Sequence, residues 1–525
     1  MRRASAILVT AALLACLAGA QTYAAQPIPP ETSAVTVPAG RIAKAVAALD
    51  GITRAYMRKT GVPGIAIAVV HDDEVVYVKG FGVREVGKPA RVDADTVFQL
   101  ASLSKPVGAT VVAALVGRGT VKWNEPLVKH LPGFKLSDAY VTEHVTIADM
   151  YSHRSGLPDH AGDLLEDLGF DRGTILERLA LEPLDPFRST YAYTNFGITA
   201  AAQAVANATG TPWEELSRQV LYGPLGMTST SSLYADYQKA PDRATLHVRA
   251  GGKWLASFTR DADPESPAGG VSSSANDMAK WLRLQLAGGV YAGKRIVEGK
   301  ALFQAHSPQM ITGPPATPNS RASFYGYGMG VGYDEAGRVR LSHSGAFNSG
   351  GATTVVMLPS ERLGIVVLSN GMPLGVPETI AADFMDLVEL GKISRDWFTA
   401  YTPVFARLYV NPSQLAGKKA PQNPAPALPD AAYAGTYKNA FYGDAAIVSN
   451  NGRLTMVLGP HREEFPLVRW TGNTFAFMPR GENALGVSSV TFTPGAVAGT
   501  IGSFTVEYLN AEKLGTFVRE AEAGR

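Results

Sequence analysis

Three short stretches of the chain hold residue types whose spacing could perform nucleophilic chemistry. In FQLASLSKPVGATVVAALVGRG (98–119), Ser102 stands three residues ahead of Lys105, where an apolar run begins. On a helix, positions i and i+3 share a face one turn apart. A lysine desolvated there has its charged form disfavoured, so its amine can take the proton that a serine must lose to act as a nucleophile. A cation in the first turn of a helix also opposes the macrodipole. The run that follows (Val107, Val111, Val112, Leu115, Val116) carries no charge before Arg118. This predicts a helix buried on most faces, in which a lysine needs a reason to be present. Backbone N–H groups at the same helix start could stabilise a developing oxyanion.

The second stretch is STYAYTNFGITAAAQAV, where Tyr193-Thr194-Asn195 sets a phenol and an amide two residues apart and Gly197 permits close backbone approach. Read alone, it is an aromatic packing residue beside an Asn helix cap. The third is LSHSGAFNSGGATTVV, where His343-Ser344-Gly345 ends a strand beside a Gly-rich one; a lone histidine there is more often structural than catalytic. Ser-x-x-Lys by itself is expected about once by chance in a chain of this length.

In this order and in these contexts, SLSK, YTN and HSG resemble the three motifs of the serine β-lactamase/penicillin-binding-protein superfamily. The likeness is to its class C-like branch, with D-alanyl-D-alanine carboxypeptidases, D-aminopeptidases and esterases. VTIADMYSHRSGLPDH (145–160) and PAGGVSSSANDMAKW (267–281) look like recurring non-catalytic segments of that family, and the resemblance spans roughly 40–395. It implies Ser102 as an acylated nucleophile and Lys105 and Tyr193 as partners in general acid/base work. It further implies Asn195 as holder of the lysine and of a substrate amide or carbonyl. Gly345 would help bind substrate, and His343 would bind a carboxylate or relay a proton. The backbone N–H groups of Ser102 and Ala346 would form an oxyanion hole. The third motif departs from typical class C β-lactamases, since His343 stands where lysine is usual; a neutral imidazole is a poorer permanent anchor for a carboxylate.

These residues need elements to hold them. Arg41 to Thr60 has apolar residues at helical spacing and stops at Gly61. GIAIAVVHDDEVVYVKGFG reads as a hairpin around His71-Asp72-Asp73. Residues 120–320 mix short helices with turn-rich loops, SANDMAKWLRLQLAGG being a helix opened by Ser274/Asn276 and closed by Gly288-Gly289. A β-meander follows, with turns at Asp334–Gly337 and Pro359–Arg362, and then a helix opened by Pro377. Strands grouped at the two ends with helices between them predict an α+β fold: an antiparallel sheet flanked by helices plus a helical lobe. NPSQLAGKKAPQNPAPALPD (411–430) reads as a linker. Beyond it, short alternating segments with turns at Asn451-Gly452 and Gly472-Asn473 predict a small β-barrel, similar to the lipocalin-like barrels appended to some members of the family.

The expected organisation is thus a leader (1–25), an extended lead-in (26–40), a hydrolase domain (41–410), a linker (411–430) and a barrel (431–525). MRRASAILVTAALLACLAGAQTYAAQ has the arginines, apolar run and small residues of a signal peptide, too short to span a bilayer, so export to the periplasm or beyond is expected. The single cysteine, Cys16, lies within it; lipidation there would be the one route to membrane association. A net charge of +2 from 48 basic and 46 acidic residues, without a basic block, gives no footing for nucleic acid. No Gly-x-Ser-x-Gly elbow, His-Glu-x-x-His or P-loop occurs, so neither a metal nor a cofactor is expected. The expected function is an exported serine hydrolase acting through a Ser102 acyl-enzyme on a small molecule or short peptide. D-amino-acid peptides, cut by a D-aminopeptidase or D,D-carboxypeptidase activity, are the leading substrates. A carboxylesterase with or without weak β-lactamase activity, and a penicillin-binding sensor that deacylates slowly, are the alternatives. Oligomeric state has no signature in the sequence.

Overall fold

A computed structural model describes residues 33–256, 259–450 and 452–520. The leader, Cys16, the first part of the lead-in and Asn451 of the expected Asn451-Gly452 turn lie outside the described residues. Helix α1 (Arg41–Thr60) ends at Gly61, which takes φ 71° and donates its N–H to the Met57 carbonyl. Strands β1 (Gly64–His71) and β2 (Glu74–Gly82) form the expected hairpin. Asp72 and Asp73 both adopt positive φ, 50° and 67°, as a two-residue turn between twisted strands demands. Three longer helices of the middle region follow: α2 (Ser104–Gly117), α3 (Asn195–Thr209) and α4 (Ala275–Leu286). Ser274, not Asn276, caps α4, its hydroxyl accepting from the Asp277 N–H at 3.2 Å.

The chain then returns to the sheet through β3 (Met310–Gly313), β4 (Ser323–Tyr325), β5 (Gly330–Tyr333), β6 (Val339–Phe347), β7 (Gly351–Leu358) and β8 (Leu363–Ser369), and closes with α5 (Val376–Glu389). The order across the sheet is β2-β1-β8-β7-β6-β5-β4-β3, all antiparallel. The two strand groups at either end of the sequence are therefore one sheet, joined where Ile65 to His71 pair with Ser369 to Leu363. Leu49, Ile67, Val367, Ile380 and Phe384 pack on one face beneath α1 and α5, whereas Ala66, Val70, Val355 and Val366 meet the helical lobe on the other. Strands β7 and β8 are buried at every residue, which explains why they read as continuous apolar runs instead of alternating ones.

Elements without a clear sequence signal include the edge strand β3 and a helix from Trp397 to Ala406 with Pro403 inside it. The Pro/Ala-rich segment 411–430 is not a free spacer at its start. Glu507 of the barrel accepts from the Ser413 hydroxyl and the Gln414 N–H, both at 2.7 Å. The barrel consists of β9 (Gly435–Lys438), β10 (Ala445–Asn450), β11 (Arg453–Leu458), β12 (Glu463–Thr471), β13 (Thr474–Phe477), β14 (Ser488–Pro494), β15 (Ile501–Val506) and β16 (Thr516–Arg519), closed by pairing β9 with β16. Aromatic rings fill its interior: Tyr437 and Phe504 lie 4.7 Å apart by centroid, Phe504 and Phe517 4.9 Å, Phe475 and Phe492 5.4 Å. Eight strands leave just enough space for such side chains, so this is a packed barrel. Among the described residues no helix is long and apolar enough to cross a membrane.

Helix α2 is buried from Ser104 to Leu115, and the polar groups within this dry environment must satisfy one another. Thr110 is such a centre. Its hydroxyl donates to the Pro106 carbonyl at 2.8 Å and accepts from Trp281 Nε1 at 3.1 Å and Gln285 Nε2 at 2.9 Å. Thr110→Val keeps the shape and strands two buried donors; we expect a loss of about 2–4 kcal/mol in denaturant unfolding, with little change for Thr110→Ser.

Candidate active site

Ser102 sits in a short 3₁₀ turn, Ala101–Leu103, that runs directly into α2. Both ends of the turn are anchored. Phe98 and Gln99 pair with Ser273 and Ser272; the Leu100 N–H donates to the Val271 carbonyl at 2.8 Å, and the Leu100 carbonyl accepts from Thr353 Oγ1 at 2.7 Å. Ser104 Oγ donates to the Ala101 carbonyl at 2.7 Å and accepts from the Val271 N–H at 2.9 Å. These bonds hold Ala101 at φ 50°, a left-handed conformation that costs a non-glycine residue about 1 kcal/mol or more. The strain aims the next residue, Ser102, out of the turn, where it stays half-buried while Lys105 goes under.

Lys105 is 0% exposed. Its Nζ lies 2.6 Å from Asn195 Oδ1, 3.1 Å from the Ala268 carbonyl and 3.1 Å from Ser102 Oγ. The Tyr193 ring centroid is 4.5 Å away. Burial pulls the amine's pKa down to about 8, against the opposing pull of the Glu265 and Asp163 carboxylates. A neutral amine has two N–H donors and one lone pair. Asn195 and Ala268 accept the donors, and the lone pair is left for the Ser102 hydroxyl. Burial pushes the Tyr193 phenol well above its usual range, the Ser102 hydroxyl acting in the opposite direction; at neutral pH the group is a phenol, able to give a proton.

Asn195 opens α3, and Gly197 is required just behind it, since a Cβ there would lie 2.3 Å from Thr194 Oγ1. The amide orientation follows from its partners: Oδ1 accepts from Lys105, and Nδ2 donates to Asp163 Oδ2 at 3.0 Å. Asp163 Oδ2 also lies 2.7 Å from His160 Nδ1. His160 is raised to about 9: burial works to lower it and is outweighed by the bond to Asp163. The main chain of Tyr193 is clamped by the same segment, its N–H donating to Asp159 Oδ1 and its carbonyl accepting from the His160 N–H, both at 2.8 Å.

Facing these groups is β6. Gly345 passes so close that a Cβ would lie 2.3 Å from the Leu100 carbonyl, 2.4 Å from Thr353 Oγ1 and 3.0 Å from the Ser102 nitrogen. Ala346 follows, paired with Ala352. His343 stands two residues earlier, and here the structure departs from the expectation of a carboxylate-binding or proton-relaying group. Its Nδ1 lies 2.8 Å from the Ser344 carbonyl and must donate, so Nε2 accepts from the Tyr325 hydroxyl at 2.7 Å. Both nitrogens are occupied. Burial and the nearby Lys105 lower its pKa to about 3, which leaves a neutral ring with no free donor for a carboxylate. It joins an aromatic cluster instead: Tyr325 lies 5.8 Å from His343 and 4.9 Å from His153, and His153 4.5 Å from Tyr193.

The chain therefore brings together Ser102, Lys105, Tyr193, Asn195, His343 and Gly345. Residues missed at the sequence level are Asp163 and His160, which orient Asn195, and Tyr325 and His153, which back Tyr193 and His343. His153 and His160 lie in the quoted 145–160 segment, but nothing in their spacing reveals a role. A third group was invisible for want of any local pattern. Arg260, largely buried with its guanidinium over the Phe347 ring, meets Glu166 Oε2 at 2.6 Å, Glu265 Oε1 at 2.8 Å and, from the barrel, Glu482 Oε1 at 3.8 Å. Its main chain is held by Gln99, whose Nε2 donates to the Arg260 carbonyl at 2.6 Å. Glu482 in turn accepts from the N–H groups of Asn348 and Ser349, just past β6. Arg260 thus ties the strand before Ser102 through its main chain, and the turn before Ala268 and the barrel through its guanidinium.

Two substitutions check this arrangement. Gly345→Ala should cut kcat/KM by about a hundredfold or more while costing only about 1–3 kcal/mol of stability, because the added methyl displaces the Leu100–Ser102 backbone. Arg260→Met should cost about 3–5 kcal/mol, since it leaves buried carboxylates without a counter-charge; thermal unfolding of the full chain reads the difference.

Residues 49–390 match the family described as Beta-lactamase, and residues 419–516 match a Domain of unknown function (DUF3471). The chain is 25% identical to Unguisins hydrolase ungD of Aspergillus violaceofuscus over 426 residues, 74% of each protein. It is 30% identical over 328 residues to Penicillin-binding protein 4 of Amycolatopsis lactamdurans, covering 59% of this chain and 81% of that protein. With D-alanyl-D-alanine-carboxypeptidase/endopeptidase AmpH of Escherichia coli it shares 25% over 335 residues, 63% and 85% of the two chains. In fold it superposes on the octameric penicillin-binding protein homologue of Pyrococcus abyssi (TM-score 0.57, 19% identity, 90% of this chain and all of that one). It also superposes on a class C beta lactamase of Rhodobacter sphaeroides (TM-score 0.52, 22% identity, 65% and 98%). With the Beta-lactamase match extending over most of the chain and a buried lysine set against a half-buried serine, the chain belongs to the β-lactamase/penicillin-binding-protein family and is a serine hydrolase with a C-terminal eight-stranded barrel.

Proposed function

We propose that the chain is an exported hydrolase that cleaves amide bonds through an acyl-enzyme on Ser102, its substrates being peptides that contain D-amino acids, in the manner of a D-aminopeptidase or D,D-carboxypeptidase. One observation carries the reading: the Lys105 amine has its two donors engaged and its lone pair 3.1 Å from Ser102 Oγ. In the first step Ser102 Oγ bonds to the substrate carbonyl carbon and its proton passes to Lys105. The resulting oxyanion lies against the N–H groups of Ser102 and Ala346. The carbon–nitrogen bond then breaks, and the leaving amine takes a proton through Tyr193 and Lys105. Water attacks the ester carbonyl as Lys105 takes its proton; the carbon–Oγ bond then breaks, Ser102 Oγ takes that proton from the lysine, and the acid, the free serine and the neutral amine are restored. Asn195 orients the lysine and the incoming amide, and Gly345 lets β6 line the cleft. The leader at 1–25 supports export, and the name of AmpH supports the D-peptide substrate class. A carboxylesterase is the second reading, favoured by His343, which offers no permanent cation to a substrate carboxylate. A penicillin-binding sensor is the third, and adduct lifetime distinguishes it.

Ser102→Ala should lower turnover by about a thousandfold or more, and Lys105→Ala nearly as far; near-wild-type rates in the serine variant would overturn the assignment. Below about pH 8 the lysine holds a proton and has no lone pair, so kcat/KM should climb from pH 6 and level off above 8. At pH 7 about one molecule in ten carries the free amine, against roughly three in ten thousand at an ordinary lysine pKa. A rate profile flat from pH 6 to 9 would remove Lys105 as the base. For the substrate, kcat/KM should favour a D-amino-acid anilide or a D-Ala-D-Ala peptide over a p-nitrophenyl ester and a chromogenic cephalosporin. Intact mass after penicillin exposure should show a transient adduct on Ser102; a lasting one would indicate the sensor.

A further inference from the structure

The end of β6 carries the Ala346 N–H that the proposed acylation assigns to the oxyanion, and the sheet alone does not hold that end. Pairing with β5 stops at Ser342, whereas pairing with β7 continues through Ala346–Ala352 to Phe347–Gly351. Asn348, Ser349 and Gly350 make the turn between β6 and β7. Gly350 takes φ 112°, donates to the Phe347 carbonyl at 2.9 Å, and passes so near His247 that a Cβ would lie 2.5 Å from its backbone. The two N–H groups before it both enter one carboxylate, that of Glu482 in the barrel loop between β13 and β14. Asn348 donates to Oε1, and Ser349 donates to Oε2 at 3.2 Å. Arg260 Nη1 stands 3.8 Å from Oε1, too far for a hydrogen bond. The bonded partner of Glu482 is therefore the backbone of the turn, and not the guanidinium.

The loop cannot carry this carboxylate away. Asp167 accepts from the Glu482 N–H at 2.8 Å, the Asn483 N–H at 3.0 Å and the Tyr508 hydroxyl at 2.6 Å. Gly481 lies so close that a Cβ would sit 2.3 Å from Asp167 Cγ. Asp167 is the last residue of the short helix Asp163–Asp167, and the first residue of that helix holds Asn195. One helix thus braces both sides of Ser102: Lys105 through Asn195, and β6 through Glu482. Hydrogen bonds to an ionised carboxylate are shorter and stronger than neutral ones, and two of them on successive N–H groups fix the turn's orientation as well as its distance. We infer that Glu482 is a positioning residue: from the barrel it fixes the end of β6, so that the Ala346 N–H stands with the Ser102 N–H where the oxyanion forms. The inference rests on the proposed acyl-enzyme and adds to it a catalytic need for the barrel.

Glu482→Ala and Glu482→Gln in the full chain test it, with p-nitrophenyl acetate as a substrate that commits to no peptide class. Misplacing an oxyanion donor costs less than removing one, so kcat/KM should fall about ten- to a hundredfold in Glu482→Ala. The fall should be smaller in Glu482→Gln, whose amide keeps one acceptor. Affinity for phenylboronic acid should weaken in step, because its tetrahedral adduct on Ser102 places a boron-bound oxygen between the same N–H groups. Arg260 keeps Glu166 and Glu265, so the midpoint of the pH–rate profile should stay at its wild-type value while the plateau drops. End-point labelling of Ser102 by a fluorophosphonate should remain complete, which separates slow sites from unfolded ones. A kcat/KM within about threefold of wild type in Glu482→Ala, a loss matched by a smaller labelled fraction, or a shifted midpoint at an unchanged plateau would each overturn the role. A wild-type chain that takes no label on Ser102 would instead overturn the acyl-enzyme reading, and this inference with it.

Discussion

A lysine amine enclosed in protein, with every direction around it assigned, is the constraint on which the rest of this structure depends. Desolvation alone would make Lys105 a poor cation and a destabilising one. The Asn195 amide, the Ala268 carbonyl and the Ser102 hydroxyl convert that liability into a directed lone pair. Each of the three comes from a different part of the chain, and each is itself held: Asn195 by Asp163, Ala268 in the turn that follows Glu265, and Ser102 by strained backbone between two pinned ends.

The same demand explains why the barrel is more than an appendage. Arg260 places a positive charge near Lys105, and Glu166, Glu265 and Glu482 surround it. Because the last of these comes from the barrel, the electrostatic balance around the lysine is shared between two parts of the fold. The loop carrying Glu482 is fastened at its other side by Asp167, which accepts from the N–H groups of Glu482 and Asn483 and from the Tyr508 hydroxyl. A rigid attachment of this kind suits a site whose charges cannot tolerate partial solvation.

His343 shows how environment decides chemistry at a fixed residue type. A histidine in the third motif could have been a cation, a relay or a structural ring. The neighbouring Tyr325 hydroxyl and the Ser344 carbonyl occupy both nitrogens, and burial beside Lys105 keeps the ring neutral. Its charge state was set by contacts and not by its identity.

Much was legible in one dimension because it rests on local rules. The Ser102/Lys105 face follows from helical spacing, the hairpin from Asp72-Asp73 between apolar runs, the end of α1 from Gly61, and the barrel from alternating short strands. The reaction class followed from three motifs in order. The sequence could not reveal Asp163 behind Asn195, Tyr325 against His343 or Glu482 against Arg260, because such contacts join residues 32, 18 and 222 positions apart through packing alone. Periodicity reports which face of an element is buried; which partner covers it, which nitrogen carries the proton, and which carboxylate oxygens are left without donors are decided only when distant segments meet in a medium of low dielectric.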